Sequence, residues 1–345
     1  MSFNRKLPTK ISKGVIRPRA YFWQDDGFIV REQVLFLMER FTLRASDGHQ
    51  VACYLWPVTE PRAIIQIAHG MGEHAMRYAR VARQLNAAGY VVYANDHRGH
   101  GETAGEHAGF MGLDGWNRTL ADMYELNGRC RGLHPELKLC LLGHSMGSTL
   151  SQQYITQHGQ SIDALVLSGS PGFKEQWVSF LGHWIIRFEG WRLEPWQSST
   201  LMQKALFGKA NAPFDGAKAT GYEWLSRDHD EVMKYVEDDR CGFVLAIGSL
   251  KDMFRGGAVA QDPRAIEKIP AELPTYIFSG DEDPFHGERK DLHRMVEAYR
   301  RRGMQKLDYR YYNGGRHEML NEINKEEVVV DLIEWLNDNL KGAVR

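Results

Sequence analysis

The sequence predicts an α/β protein in which a mostly parallel central sheet, flanked by helices, is interrupted by an inserted helical cap. Three observations carry that prediction. From about Phe41 onward, short runs of β-branched and aromatic residues alternate with stretches of helical period, the pattern of strands covered on both faces. Between Pro171 and Pro270 the alternation fails, because aromatics are dense there and strand-like runs are few. It then resumes. Residues 41–170 and 271–345 therefore read as one sheet-bearing domain, 171–270 as a cap inserted into it, and 1–40 as an extension.

The extension is basic: Arg5, Lys6, Lys10, Lys13, Arg17 and Arg19 all precede the first acid, Asp25. A solvated tail is the favoured reading, with a transit peptide or an arm resting on anionic lipid as its rivals. Pro8 and Pro18 argue against one long helix. Strands follow at Val51 to Trp56, Ala63 to Ala68, Tyr90 to Ala94, Lys138 to Leu142, Ala164 to Ser168, Thr275 to Ser279 and Tyr309 to Tyr312. Among the helical stretches, Tyr78 to Ala88 sets Val81, Ala82 and Leu85 on one side and closes at Gly89, suited to a left-handed cap. Trp116 to Arg131 and Ser145 to His158 behave alike, and Lys325 to Leu340 gathers Val328, Leu332, Trp335 and Leu336. In the cap, Trp177, Phe180, Leu181, Trp184, Ile185, Phe188 and Trp191 recur near helical spacing. That stripe is either a helix packed on its neighbours or a lid whose apolar face lines a pocket or touches lipid.

Composition narrows the function. The 345 residues carry 43 Lys+Arg against 44 Asp+Glu, a net charge of −1, and 43% hydrophobic residues. That much apolar mass excludes a disordered chain, and near-neutrality argues against a nucleic-acid partner. Cys53, Cys130, Cys140 and Cys241 are scattered without a Cys-x-x-Cys pair, so a reduced, cytoplasmic setting is the simpler reading. No run approaches the ~18 apolar residues of a membrane span, and the N-terminus lacks a secretory apolar core.

The chemistry centres on Gly143-His144-Ser145-Met146-Gly147, which follows the strand-like Leu139 to Leu142 and opens a helix. This is the nucleophile elbow G-x-S-x-G in its strand, turn, helix context. A serine hydroxyl is a weak nucleophile until an adjacent base accepts its proton, so an acid and a histidine are expected downstream at strand ends. Tyr309 to Tyr312 leads into Asn313-Gly314-Gly315-Arg316-His317, which makes His317 the base. Thr275 to Ser279 leads into Gly280-Asp281-Glu282-Asp283-Pro284. Asp283, held extended by Pro284, is the favoured orienting acid and Asp281 the alternative. An oxyanion hole needs two amides: Met146, after the nucleophile, and Met71, in the turn His69-Gly70-Met71-Gly72. The histidines of Asp96-His97-Arg98-Gly99-His100-Gly101 and His107 match no familiar metal spacing, so a structural turn is expected and no metal. With neither G-x-G-x-x-G nor G-x-x-x-x-G-K-[ST], no nucleotide cofactor is indicated.

Taken together, His69 to His74 with Arg77-Tyr78, Asp96 to Gly101, the elbow, Gly280 to Pro284 and Gly314-Gly315-Arg316-His317-Glu318 resemble the monoacylglycerol lipase and lysophospholipase branch of the α/β-hydrolases. Trp224 to Asp228 and Cys241-Gly242-Phe243 look like bacterial members described as lysophospholipases. The likeness runs from about Phe41 to Leu340. It implies a cofactor-independent serine hydrolase of carboxylic esters of single-chain lipids, with Ser145, Asp283 and His317 as triad and Met71 and Met146 as oxyanion donors. It also implies an apolar tunnel for one acyl chain, along which Gly70, His144, Phe173 and Trp184 are placed as substrate contacts, with Glu73 or His74 near its polar end or in a structural hydrogen bond. An amidase or aminopeptidase using Glu175, Glu189 or Glu194 of the cap is the alternative on the same fold, and a non-catalytic binding protein the third reading. Membrane contact, if any, would be peripheral, through the cap or the basic arm; the oligomeric state is left open.

Overall fold

Predominantly aliphatic and aromatic runs make strands that are buried on both faces, and five such strands form the centre of this molecule. A computed structural model describes residues 38–216 and 219–341; the side chains of residues 176–181 and 183, and the basic extension up to residue 37, lie outside the described residues. In chain order the elements are β1 (Glu39–Arg44), β2 (Gln50–Trp56), β3 (Ala63–Ala68), α1 (Ala79–Ala87), β4 (Tyr90–Asn95), α2 (Gly115–Leu133), β5 (Leu139–His144), α3 (Met146–His158) and β6 (Ala164–Ser168). There follow α4 (Gln176–Arg192), α5 (Thr200–Phe207), α6 (His229–Val236), α7 (Ile247–Gln261), α8 (Pro263–Ile266), β7 (Thr275–Gly280), α9 (Lys290–Arg302), β8 (Leu307–Tyr312) and α10 (Lys325–Asn339).

The eight strands are ordered β1-β2-β4-β3-β5-β6-β7-β8. The pairs β1–β2 and β2–β4 are antiparallel and all others parallel. Side chains alternate across the sheet, so each strand feeds two cores. Ile64, Leu141, Leu165 and Ile277 pack under α2, α3 and α9, whereas Ile65, Leu142, Val166 and Phe278 pack under α1 and α10. Register aligns Ala68 with Gly143 and His144 with Ser168, which brings the carboxyl ends of β3, β5 and β6 level. In open α/β sheets ligands bind at that edge.

Two elements go beyond the sequence reading. Strand β1 takes in Glu39 and Arg40, which the sequence left in the extension; as an edge strand with no buried residue it has little apolar signature. Helix α9 buries Leu292, Met295, Val296 and Tyr299 on one face of an otherwise highly charged segment.

Between β6 and β7 the chain folds α4 to α8. Helix α7 seats Ile247 and Leu250 in the same apolar cluster as α2 and α3, so this part of the insertion belongs to the core. Helix α4 packs on α7 through Ile185 and Ile186, and a Cβ at Gly182 would stand only 3.1 Å from Phe254. Of the aromatic stripe, Trp184, Phe188 and Trp191 are exposed and Ile185 is half-buried against the core, while the side chains of Trp177, Phe180 and Leu181 lie outside the described residues.

Candidate active site

The β5–α3 turn demands an unusual backbone. Ser145 has φ 52° and ψ −113°, a conformation costing a non-glycine residue on the order of 1–3 kcal/mol and met mainly at functional sites. The flanking glycines allow the turn to be this tight: a Cβ at Gly147 would overlap Ala68 O, and one at Gly143 would overlap Ser151 Oγ. Helix α3 thus presses directly on β3. The serine hydroxyl is lifted clear of the sheet edge and lines a cavity of about 1030 Å³, at the upper end of the usual range for small-molecule sites.

His317 arrives on the turn after β8 and Asp283 on the turn after β7. Ser145 Oγ lies 2.8 Å from His317 Nε2, and His317 Nδ1 lies 2.9 Å from Asp283 Oδ2. Asp283 also accepts from the Ser279 hydroxyl (3.0 Å) and the Phe285 N–H (2.9 Å). Asp281 turns instead to Arg289 at 3.1 Å, so of the two candidate acids Asp283 is the one the fold brings to the imidazole. Burial opposes charge on His317, but the adjacent Asp283 carboxylate and its hydrogen bond raise the pKa above its ordinary value. Burial likewise opposes ionisation of Asp283, yet the His317 charge and hydrogen bond hold it down at about 2. The electrostatics therefore favour an ionised carboxylate that fixes the imidazole tautomer with Nδ1–H.

Met71 and Met146 both line the cavity. Met146 is the first residue of α3, and helix-initiating amides have no intrahelical acceptor. Gly70 sits against the nucleophile, since a Cβ there would be 3.2 Å from Ser145 Cβ, and its N–H is taken by Glu73 Oε1 at 2.5 Å. The Met71 amide is the next along the turn. His144 also lines the cavity; burial and the nearby His317 push its pKa down to about 4, so it stays neutral.

Two expected substrate contacts stand elsewhere. Phe173 is buried, with its ring edge-on to Tyr299 at 5.7 Å, and it faces α9 instead of Ser145. Trp184 is 54% exposed on α4 and does not line the Ser145 cavity. Residue type marked both as apolar but could not say which way each would point. Cavity walls come instead from Leu206, Phe207, Val244, Met253 and Phe254. None of Glu175, Glu189 and Glu194 lines the cavity; Glu189 is held by Arg192 at 2.8 Å and Glu175 by Arg294 at 2.8 Å.

A polar clamp not assigned from the sequence joins the two loops that flank Ser145. Arg77 binds Glu73 Oε2 at 2.7 Å and both oxygens of Glu318 at 2.6 and 2.8 Å, and the Tyr78 hydroxyl donates to Glu73 at 2.8 Å. The i,i+4 spacing of Glu73 and Arg77 was a usable signal, whereas Glu318 lies 241 residues away. Removing one member of a buried ion network strands the others, at about 3–5 kcal/mol. Arg77→Met is therefore expected to lower the thermal unfolding midpoint and kcat together. Arg77→Met with unchanged stability would show that the clamp holds nothing.

The insertion is stitched to the same histidine loop. Glu318 N–H donates to Leu225 O (2.7 Å), and Arg316 reaches Glu223 O (2.7 Å) and Ser226 O (3.1 Å). The rings of Trp224 and Phe285 lie 5.3 and 4.9 Å from His317.

The histidine-rich turn is buried. The rings of His69 and His97 lie 4.1 Å apart, tilted by 35°, and His69 Nε2 accepts the His97 N–H at 2.9 Å. Burial pulls the pKa of His69, His97 and His100 down, so they stay neutral. Among the described residues one potential donor cluster occurs, His74, Asp238 and Cys241, with one atom of each within 4.8 Å of the others. Its His74 Nε2 is already engaged by Asp238 (2.8 Å), and burial pushes the Cys241 thiol up to about 12. This donor set suits a hydrogen-bonded contact better than a thiolate metal site.

Known proteins align with this arrangement over most of the chain. It is 28% identical over 297 residues to a monoacylglycerol lipase of Mycolicibacterium smegmatis, covering 85% of this chain and 95% of that protein. To a monoglyceride lipase homolog of Monkeypox virus it is 26% identical over 303 residues, covering 86% and 97%. Among solved structures, a thermostable carboxyl esterase from Bacillus coagulans superposes with a TM-score of 0.77 at 24% identity, covering 88% of this chain and 99% of that one. The model of the family described as serine aminopeptidase, S33, matches residues 59–324, and the chain belongs to that family, within the monoacylglycerol lipase-like branch of the α/β-hydrolases.

Proposed function

We propose that the protein hydrolyses carboxylic esters of single-chain lipids, such as monoacylglycerols or lysophospholipids, through an acyl-enzyme on Ser145. The observation that carries this reading is the hydrogen-bonded series Ser145, His317 and Asp283, with Ser145 and His317 lining a large, mainly apolar cavity. His317 Nε2 takes the hydroxyl proton as Ser145 Oγ attacks the ester carbonyl carbon. The N–H groups of Met71 and Met146 receive the developing oxyanion, a donor of this kind being worth about 3 kcal/mol of barrier. Collapse breaks the bond to the alcohol oxygen, which leaves with the proton from His317. Water, deprotonated by His317, then attacks the acyl carbon; the bond to Ser145 Oγ breaks, Oγ takes the proton back from His317, and the free acid is released.

The pocket chemistry favours ester cleavage over recognition of a free amino terminus. An aminopeptidase needs an uncompensated carboxylate facing the substrate. Among the described residues two glutamates line this cavity, Glu73 and Glu318, and both are held by Arg77. Turnover of a medium-chain monoacylglycerol should exceed that of an aminoacyl anilide by at least about 100-fold. Preference for the anilide would reject the reading.

Among the described residues no helix is long and apolar enough to cross a membrane. Exposed Phe188, Trp191, Trp196 and Leu201 support peripheral contact of the insertion with a lipid surface, where an amphipathic helix binds through its apolar face.

A further inference from the structure

A second cavity of about 1050 Å³ opens between the segment after β6, helices α7 and α8, and α9. Lys174, Ala258 and Gln261 line both this cavity and that of Ser145, so the two are divided by a thin wall in which one side chain is only a methyl group. Its apolar surface comes from Phe173, Ile266 and Ala298. Its cations, apart from Lys174, are Arg294, Arg301 and Arg302.

These cations differ in how they are held. Lys174 is bound to Asp291 and to Phe285 O, and Arg294 spans Phe173 O, Asp291 and Glu175. Arg301 faces solvent and pairs with Glu297 at 3.6 Å. Arg302 differs: its Nε is buried and has no hydrogen-bond partner among the described residues. Of the acids around the cavity, Glu175 is taken by Arg294, and Asp262 accepts the Arg264 N–H; Glu267 is the third. The Arg302 Nε is sealed from water and so from the cavity; an acceptor entering the cavity would instead meet the terminal guanidinium nitrogens of Arg302, which have no ion pair or hydrogen bond among the described residues.

We infer that this cavity binds a free aliphatic carboxylic acid, with its carboxylate on Arg302 and its chain along Phe173 and Ile266 toward Ala258. Guanidinium and carboxylate match in charge and in planar two-point geometry, and the walls beyond suit an alkyl chain. An aliphatic acid is also what ester hydrolysis at Ser145 releases on the far side of the wall; that choice of occupant, as product, rests on the reading above. The site would retain product beside the acyl pocket and make the acid an inhibitor that does not compete with ester.

Calorimetry with decanoate, decanol and inorganic phosphate tests this on the whole protein, before and after an alkyl fluorophosphonate fills the Ser145 cavity. The blocked protein should still bind one decanoate, with decanol and phosphate about tenfold weaker or more. Arg302→Met should weaken decanoate by about tenfold while leaving kcat/KM for a monoacylglycerol unchanged, which also reports that the variant is folded. Arg302→Lys, which keeps the charge but loses the fork, should fall between. Decanoate binding lost on blocking Ser145, indifferent to Arg302→Met, or matched by decanol would overturn the site. Failure of the phosphonate to label would count against the ester reading instead, and the Arg302 comparison in unlabelled protein would still decide the site.

Discussion

Ser145→Ala is expected to lower kcat for a monoacylglycerol on the order of 10⁶-fold, because removing a hydrolase nucleophile costs about as much as removing the whole triad. The fold should survive. Alanine must adopt the same φ of 52°, and it gives up one hydrogen bond, to His317 Nε2, so the unfolding midpoint should move little. Substrate binding should persist, since the cavity walls of Leu206, Val244, Met253 and Phe254 are untouched. Equilibrium binding of a non-hydrolysable ether analogue to the variant separates the two effects. A variant that is folded and retains more than about a hundredth of the activity would mean that another group performs the attack.

Asp283→Asn is the second large effect, about 10⁴-fold in kcat, because an amide in place of the carboxylate favours the wrong imidazole tautomer. Its pH signature is more specific than its size. Catalysis requires neutral His317, whose pKa is raised above its ordinary value despite burial, through the Asp283 carboxylate. In the native enzyme kcat/KM should therefore rise with pH through a midpoint above 6.5, the ordinary value for histidine. In Asp283→Asn burial is no longer opposed by that charge, and the midpoint should move to lower pH. Stability has the opposite sign. A histidine whose folded pKa is raised contributes stability that is fully present below its unfolded pKa and is lost as pH rises through the folded value. The same proton thus stabilises the fold and silences the enzyme. A midpoint unmoved by Asp283→Asn would show that Asp283 does not set the ionisation of His317.

Much of the sheet and the chemistry was legible because the physics is local. An elbow needs small residues two positions either side of the serine, and Gly143 and Gly147 stand against neighbouring atoms that would clash with any Cβ. Strands buried on both faces announce themselves as apolar runs, as Tyr90 to Ala94 and Leu139 to Leu142 do. What escaped depends on neighbours distant in sequence. Strand β1 exists by pairing with β2 and has little pattern of its own. Arg77 is an unremarkable charge until the fold brings Glu318 to it. Phe173 and Trp184 are placed as substrate contacts only through the apolar tunnel that the resemblance implies. Their directions depend on how α9 packs on the segment after β6 and how α4 packs on α7. Helix α9 could have been read from the spacing of Leu292, Met295, Val296 and Tyr299, but the charges around them mask it.

The central claim is that Ser145 is a nucleophile activated by His317, and covalent labelling tests it most directly. Folded protein is treated with an alkyl fluorophosphonate, digested, and the modified peptide located by mass spectrometry. The account predicts one adduct per chain, on Ser145, loss of esterase activity in step with labelling, and no adduct in Ser145→Ala. Folded protein that resists labelling, or loses activity through modification of a different residue, would contradict it.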